Sequence, residues 1–233
     1  MIVDERIVAY INSMNHNDRD IVATIEKEAI ANYVPIIRKE TKELLKVLIC
    51  MKKPMRVLEV GAAVGFSSIF MSEYLPEGAT ITTIENYEPR IVEAKKNFKR
   101  AGKEKQITLL EGDANDILKT LEPSYDMIFM DAAKGQYIHF FPEIMRLLAK
   151  DGLLISDNVL QDGDVVQSRY GVTRRNRTIH SRMREYLYTL KNIEGLETAI
   201  LPVGDGVTIS TRVEGKTAVQ EKAVEEENTE KED

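Results

Sequence analysis

From residue 55 onward the chain alternates short apolar runs with stretches in which apolar positions recur every three or four residues. The runs MRVLEV (55–60), ATITTIE (79–85), QITLLEG (106–112), YDMIFMDA (125–132) and GLLISDN (152–158) are rich in Val, Ile, Leu and Met and lack polar alternation. That is the pattern of strands covered on both faces of a parallel sheet. Between them, residues 89–101 place Ile91, Ala94 and Phe98 on one stripe and keep Arg90, Lys95, Lys96, Lys99 and Arg100 off it. This spacing predicts an amphipathic helix, and residues 140–149 predict another. Two last runs, TAILPV (198–203) and GVTIST (206–211), flank Gly204-Asp205-Gly206, which predicts a hairpin or tight bend and an antiparallel element at the sheet's edge. Ahead of residue 55, helices are expected at 4–13, 20–32 and 39–51.

Strands alternating with helices through right-handed crossovers define an α/β class: a doubly wound, mostly parallel sheet of seven strands. The expected organisation is one domain over residues 1–213, with a helical cap (1–54) on a core (55–213). Ligands of such sheets sit beyond the carboxyl ends of the strands. Most of the candidate chemistry below falls there.

Composition narrows the class further. With 43% hydrophobic and 30% charged residues in 233, the chain carries ordinary globular chemistry. Its lone Cys50 excludes an internal disulfide. No apolar stretch approaches the roughly 20 residues of a membrane span, and no signal segment opens the chain, so a soluble cytoplasmic protein without membrane attachment is expected. The net charge of -6 is mostly local: residues 214–233 hold eight acids against three lysines, leaving the rest nearly neutral. That acidic tail has almost nothing to bury and is expected to be disordered.

The first strand runs into Glu59-Val60-Gly61-Ala62-Ala63-Val64-Gly65-Phe66-Ser67, where glycines permit a turn and a close approach to a ligand. The dinucleotide spacing G-x-G-x-x-G is absent, because Ala63 and Phe66 stand at its second and third glycine positions. The spacing E-x-G-x-x-x-G suits a cofactor without a diphosphate. Glu85 closes the second strand, where a carboxylate accepts ribose hydroxyls, and Gly112-Asp113-Ala114 follow the third, facing an adenine edge. Together they point to S-adenosylmethionine; the alternative is a plain strand-to-helix turn with an exposed acid at the next strand's end.

Asp131 ends the fourth strand with Lys134 three residues on, and Asp157-Asn158 end the fifth. Asp, Asp and Asn supply only hard oxygens, which suit magnesium, manganese or calcium. Two neighbouring carboxylates repel unless a cation lies between them. A divalent ion beside a methyl donor chelates two adjacent acceptor oxygens and acidifies the hydroxyl, and Lys134 serves as base or as electrostatic stabiliser. The competing reading makes Asp131 a helix cap and Asp157-Asn158 turn chemistry.

Taken in order, LEVGAAVGFSS, TIE, GDA, DAAK, SDN and LPVGDGVTIS resemble the metal-dependent O-methyltransferase family that includes catechol and caffeoyl-CoA methyltransferases, over roughly residues 30–212. The resemblance implies a Rossmann-like methyltransferase fold and a homodimer. It implies a cofactor site of Ile37, Glu59, Gly61, Ala62, Gly65, Ser67, Glu85, Gly112, Asp113, Ala114 and Asp131, a metal site of Asp131, Asp157 and Asn158, and Lys134 as base. The segment VTRRNRTIHSRMREYL resembles a bacterial branch of the family that methylates 5-hydroxyuridine to 5-methoxyuridine at the tRNA wobble position. The adjacent O4 and O5 of that base chelate a metal as a catechol does.

Residues 169–184 contain six arginines, His180 and Tyr170 and no acid. Guanidinium forks suit phosphates, and exposed aromatic faces stack on unpaired bases, so Arg169, Arg174, Arg175, Arg177 and Arg182 are candidate contacts to a tRNA anticodon loop. The alternative is an amphipathic helix whose charges pair with acids elsewhere in the fold or across a dimer interface. Two rival functions stay open: a small-molecule catechol-type methyltransferase, and a non-catalytic RNA-binding protein on the same fold.

Overall fold

The computed structural model describes residues 2–213, so the tail expected to be disordered lies outside the described residues. Seven strands form one sheet: β1 (Arg56–Val60), β2 (Thr80–Glu85), β3 (Ile107–Glu111), β4 (Tyr125–Met130), β5 (Leu148–Ser156), β6 (Leu196–Leu201) and β7 (Val207–Arg212), in the order β3-β2-β1-β4-β5-β7-β6. The first five run parallel, and β7 is antiparallel to both β5 and β6. The hairpin expected at this edge is present. Its antiparallel strand sits one place in, and β6 forms the rim.

Side-chain alternation divides the apolar residues between two layers. Val57, Met127, Phe129, Leu153 and Ile155 face a cluster shared with Phe66, Phe70 and Phe98, whereas Leu58, Val60, Ile128, Met130 and Leu154 face a second cluster with Tyr137, Phe141, Ile144 and Tyr186. Helices cover both faces, which is why the strands read as continuous apolar runs. On the first face lie α2 (Asp20–Ala31), α3 (Lys39–Lys52), α4 (Phe66–Ser72) and α5 (Glu88–Arg100). On the second lie α6 (Ala114–Thr120), α7 (Tyr137–Leu147) and α8 (Arg177–Asn192). The amino-terminal α1 (Glu5–Ser13) buries none of its residues and packs on α3. No helix among the described residues is long and apolar enough to cross a membrane.

Strand order reverses between β1 and β4, so the crevice beyond their tips opens there. The tips approach closely. Gly61 has φ 106°, and a Cβ built on it would lie 2.1 Å from the Asp131 carbonyl oxygen. Only a residue without a side chain lets the β1 turn rest against the chain leaving β4.

Gly61→Ala is therefore expected to combine the left-handed penalty of about 1–2 kcal/mol with an overpacking cost of about 1–3 kcal/mol. Gly102→Ala is the control, since Gly102 has φ +67° and open space around it. Urea denaturation of the two variants should show Gly61→Ala clearly the less stable.

Candidate active site

The tips of β1 to β5 surround a cavity of about 590 Å³ lined by Gly61, Ala63, Glu85, Asn86, Arg90, Gly112, Asp113, Ala114, Asn115, Asp131, Lys134, Gln136 and Asn158, with Pro35, Ile36 and Phe140 as apolar wall. Eight of the sequence-predicted residues thus meet in one space: Gly61, Glu85, Gly112, Asp113, Ala114, Asp131, Lys134 and Asn158. Asp157 is wholly buried at the floor.

Five expected cofactor residues do not line this cavity. Ile37 is buried in the core, and its neighbours Pro35 and Ile36 face the space instead. Ala62 is buried, and Gly65, at φ 78°, forms the amino-terminal cap of α4 with the Phe98 ring against it. Glu59 is fully buried one layer behind the loop, where its carboxylate accepts hydrogen bonds from the hydroxyls of Ser67, Ser68 and Thr83. Burial holds this carboxyl above its ordinary range against those three donors. Glu59 and Ser67 therefore anchor α4 and the loop to the strands, because a carboxylate at an inward position of β1 must find its donors inside the protein.

Glu85 sits at the mouth and is held rigidly. Its Oε2 accepts from the Ala63 N–H at 2.8 Å, and its Oε1 accepts from Asn86 and Tyr87 N–H at 2.9 and 3.0 Å. Asp113 caps α6 by accepting from the Asn115 N–H at 2.8 Å. Asn86, Arg90, Asn115 and Gln136 are wall residues that sequence reading missed. Each follows a strand or precedes a helix by a few positions, and no residue pattern marks which side of the turn it faces.

Successive strand ladders set the acidic floor. Asp131 N–H donates to the Val60 carbonyl at 3.0 Å and Asp157 N–H to that of Met130 at 2.9 Å, which brings the two acids onto neighbouring tips. The Tyr137 hydroxyl lies 3.1 Å from the carbonyls of both Met130 and Asp157 and braces the pair from α7. Asn158 adopts a left-handed backbone at φ 59°, and its N–H donates to Asp157 Oδ1 at 2.8 Å. Burial raises the carboxyl of Asp131, and the charge of Asp157 raises it further. Burial also raises Asp157, with Asp205 adding to the effect.

Asp157 Oδ2 is buried without any hydrogen-bond partner. A buried carboxylate oxygen left bare beside a second carboxylate fits an oxygen-liganded divalent cation, and the donor set of Asp131, Asp157 and Asn158 has that chemistry. Among the described residues no three His, Cys, Asp or Glu side chains converge, so the amide of Asn158 and oxygens from outside the chain would complete the shell. Lys134 is not a free amine: its Nζ lies 3.0 Å from Asp205 Oδ2.

The arginine-rich segment divides in two. Arg182 donates to the Gly135 carbonyl at 3.1 Å, and Arg184 to those of Val165 and Gln167 at 3.3 and 3.4 Å, so both fasten α8 to its surroundings. The expected RNA contact at Arg182 is thus occupied by backbone. His180, Met183, Tyr186 and Leu190 form the buried stripe of α8, which makes this stretch the amphipathic helix that was the alternative reading. Its charges meet carbonyls and not acids. Arg169, Tyr170, Arg174 and Arg175 are exposed, and Arg177 lies over the Tyr170 ring at 5.7 Å.

This fold and site are those of a class I-type methyl-transfer scaffold, and comparison with known proteins gives the family. The O-methyltransferase family model matches residues 12–213. A catechol O-methyltransferase of Niastella koreensis is 32% identical over 169 residues, covering 70% of this chain and 76% of its own. A Staphylococcus aureus protein provisionally described as a caffeoyl-CoA O-methyltransferase has a structure that superposes with TM-score 0.82 at 33% identity, over 90% of this chain and all of that one. An SAH-bound methyltransferase of Podospora anserina gives TM-score 0.82 at 25% identity, over 90% and 95% of the two chains. The chain belongs to the O-methyltransferase family, and is an enzyme of that class.

Without a cation, the folded chain holds protons on Asp131 and Asp157 that the unfolded chain has already released, because both carboxyls are raised on folding. Their contribution to stability is present at acid pH and lost as pH climbs from the ordinary carboxylate range through the raised values. The thermal midpoint should accordingly gain more from added magnesium at pH 8 than at pH 5. Asp157→Ala should remove most of that gain, and an equal gain in the variant would place the ion elsewhere.

Proposed function

We propose that this chain transfers the sulfonium methyl group of S-adenosylmethionine to one of two adjacent oxygens of an acceptor, with Asp131, Asp157 and Asn158 holding a divalent cation, magnesium or its analogues manganese and calcium. The observation that carries this reading is the bare Asp157 Oδ2 beside Asp131, under a cavity whose other end is furnished by Glu85 and Asp113. When bound, the cation supplies Lewis acidity that lowers the pKa of the chelated hydroxyl.

The chain's own residues do the rest. Glu85 is fixed by three backbone donors, two on Oε1 and one on Oε2, so Oε2 keeps a lone pair for a ribose hydroxyl. Gly112 and Ala114 leave the adenine end uncrowded, and Pro35, Ile36 and Phe140 exclude water from the space between. Lys134 brings a positive charge to the acceptor side as the hydroxyl proton leaves. Held donor and acceptor then need only in-line approach, which is where orientation contributes most.

Two acceptors offer such an oxygen pair. The names of the relatives support a small catechol-type molecule, and this reading has the broader backing. One surface observation favours 5-hydroxyuridine in a tRNA anticodon loop. Among the described residues, no ion pair or side-chain hydrogen bond engages Arg169, Arg174 or Arg175, and these stand with exposed Tyr170 ahead of a helix packed on the Lys134–Gln136 turn of the cavity wall. Free guanidinium groups and an exposed ring beside the mouth suit a phosphate backbone and an unstacked base. A small catechol has no use for them.

Methyl transfer is to be measured in parallel on tRNA bearing 5-hydroxyuridine and on a catechol, each with magnesium and with chelator. Metal-dependent 5-methoxyuridine assigns the RNA; a methylated catechol alone assigns the small molecule; product in chelator overturns the metal. Arg169, Arg174 and Arg175 changed together to alanine should, on the RNA reading, flatten the salt slope of tRNA binding by about 2–3. Catechol turnover should be untouched by the same change.

A further inference from the structure

The Gly204-Asp205-Gly206 turn joins β6 to β7, and in sequence it reads as punctuation. In the fold it closes the site. Asp205 is 4% exposed, and both its oxygens are engaged: Oδ2 with the Lys134 ammonium at 3.0 Å, Oδ1 with the N–H of Asp162. The backbone of the turn holds the loop after Asn158 as well, since Val159 N–H donates to the Gly206 carbonyl at 2.9 Å and Leu160 N–H to that of Asp205 at 3.0 Å.

Neither flanking glycine has room to be anything else. A Cβ on Gly206 would lie 2.4 Å from Leu160, and one on Gly204 2.7 Å from Thr41 Oγ1. The turn is therefore wedged between α3 and the loop, and Asp205 cannot swing away from Lys134. A carboxylate so buried, with a fixed cation as its neighbour, does more than shape a bend.

We infer that Asp205 is a positioning residue that fixes the Lys134 ammonium at the acceptor end of the cavity and couples it to the loop leaving Asn158. The kinetic consequence rests on the methyl-transfer reading above. As the acceptor O–CH3 bond forms and the S–CH3 bond breaks, the hydroxyl proton departs to solvent and the ammonium faces the negative oxygen. Asp205 keeps that charge aimed without touching substrate itself, and the site gains a fixed electrostatic partner in place of a mobile lysine.

Asp205→Asn tests this, because the amide oxygen still accepts from Asp162 while the charge is lost. With whichever acceptor the wild type methylates, kcat should fall about 10- to 100-fold. S-adenosylmethionine affinity by calorimetry should stay within about threefold, the pH–rate profile should move, and Asp205→Glu should recover part of the rate. In a Lys134→Met background the same change should cost little more, and full additivity would overturn the proposal. An unchanged kcat and pH profile would overturn it too.

A second readout needs no turnover. Acylation of Lys134 by an amine-reactive reagent, read by mass spectrometry, should run severalfold faster in Asp205→Asn than in wild type, because the amine is released from its ion-pair partner. In the wild-type chain, where no variant has to fold, Lys134 should react more slowly than Lys96, whose side chain is 61% exposed. Equal rates would remove Asp205 from its role. Should wild type methylate neither acceptor, the functional reading falls while the labelling still decides for or against Asp205.

Discussion

Two carboxylates side by side beneath the strand tips set the terms for everything around them. Asp131 and Asp157 are brought together by ladder hydrogen bonds that neither can refuse, since each backbone N–H completes the step from one parallel strand to the next. Burial then denies them water, and the charge of Asp157 makes Asp131 harder still to ionise. The surrounding structure answers with braces: Tyr137 across the carbonyls, the strained backbone of Asn158, and Lys134 held by Asp205. Two buried acids so arranged are costly to ionise together, and that cost is what the proposed cation would relieve.

Much of this was legible in the sequence. Strands covered on both faces are apolar, so the five parallel strands announce themselves, and the acids at their tips are candidates for the crevice. That logic points to Glu85, Asp113, Asp131 and Asp157, of which the first three line the cavity and the last is buried beside it, and the family resemblance agrees. The elements that escaped were short or disguised. α4 and α6 are seven residues each, too brief for a helical period to emerge, and α4 is buried throughout. β5 begins at Leu148, four residues early, because Lys150 and Asp151 are not apolar and hide its first half.

The residues that do not line the cavity share one cause. Sequence tells which strand end a residue occupies and leaves open whether it faces the ligand or the layer behind. Glu59 and Ser67 stand in the same motif as Gly61, yet the alternation of β1 turns Glu59 inward, where three hydroxyls await it. The arginine segment divides in the same manner. Helical period sends Arg182 back toward Gly135, while Arg174 and Arg175, in the turn before α8, stay outside.

The sheet order has a consequence for how the molecule comes to be active. β7 is the last strand of the described fold, but it lies inside the sheet, between β5 and the rim strand β6. A nascent chain that has emerged only as far as β6 has a rim with nothing to join, and its cavity lacks the wedge that steadies Lys134. A chain cut short there lacks the strand that covers β5, and leaves an open β5 edge that invites pairing with another chain.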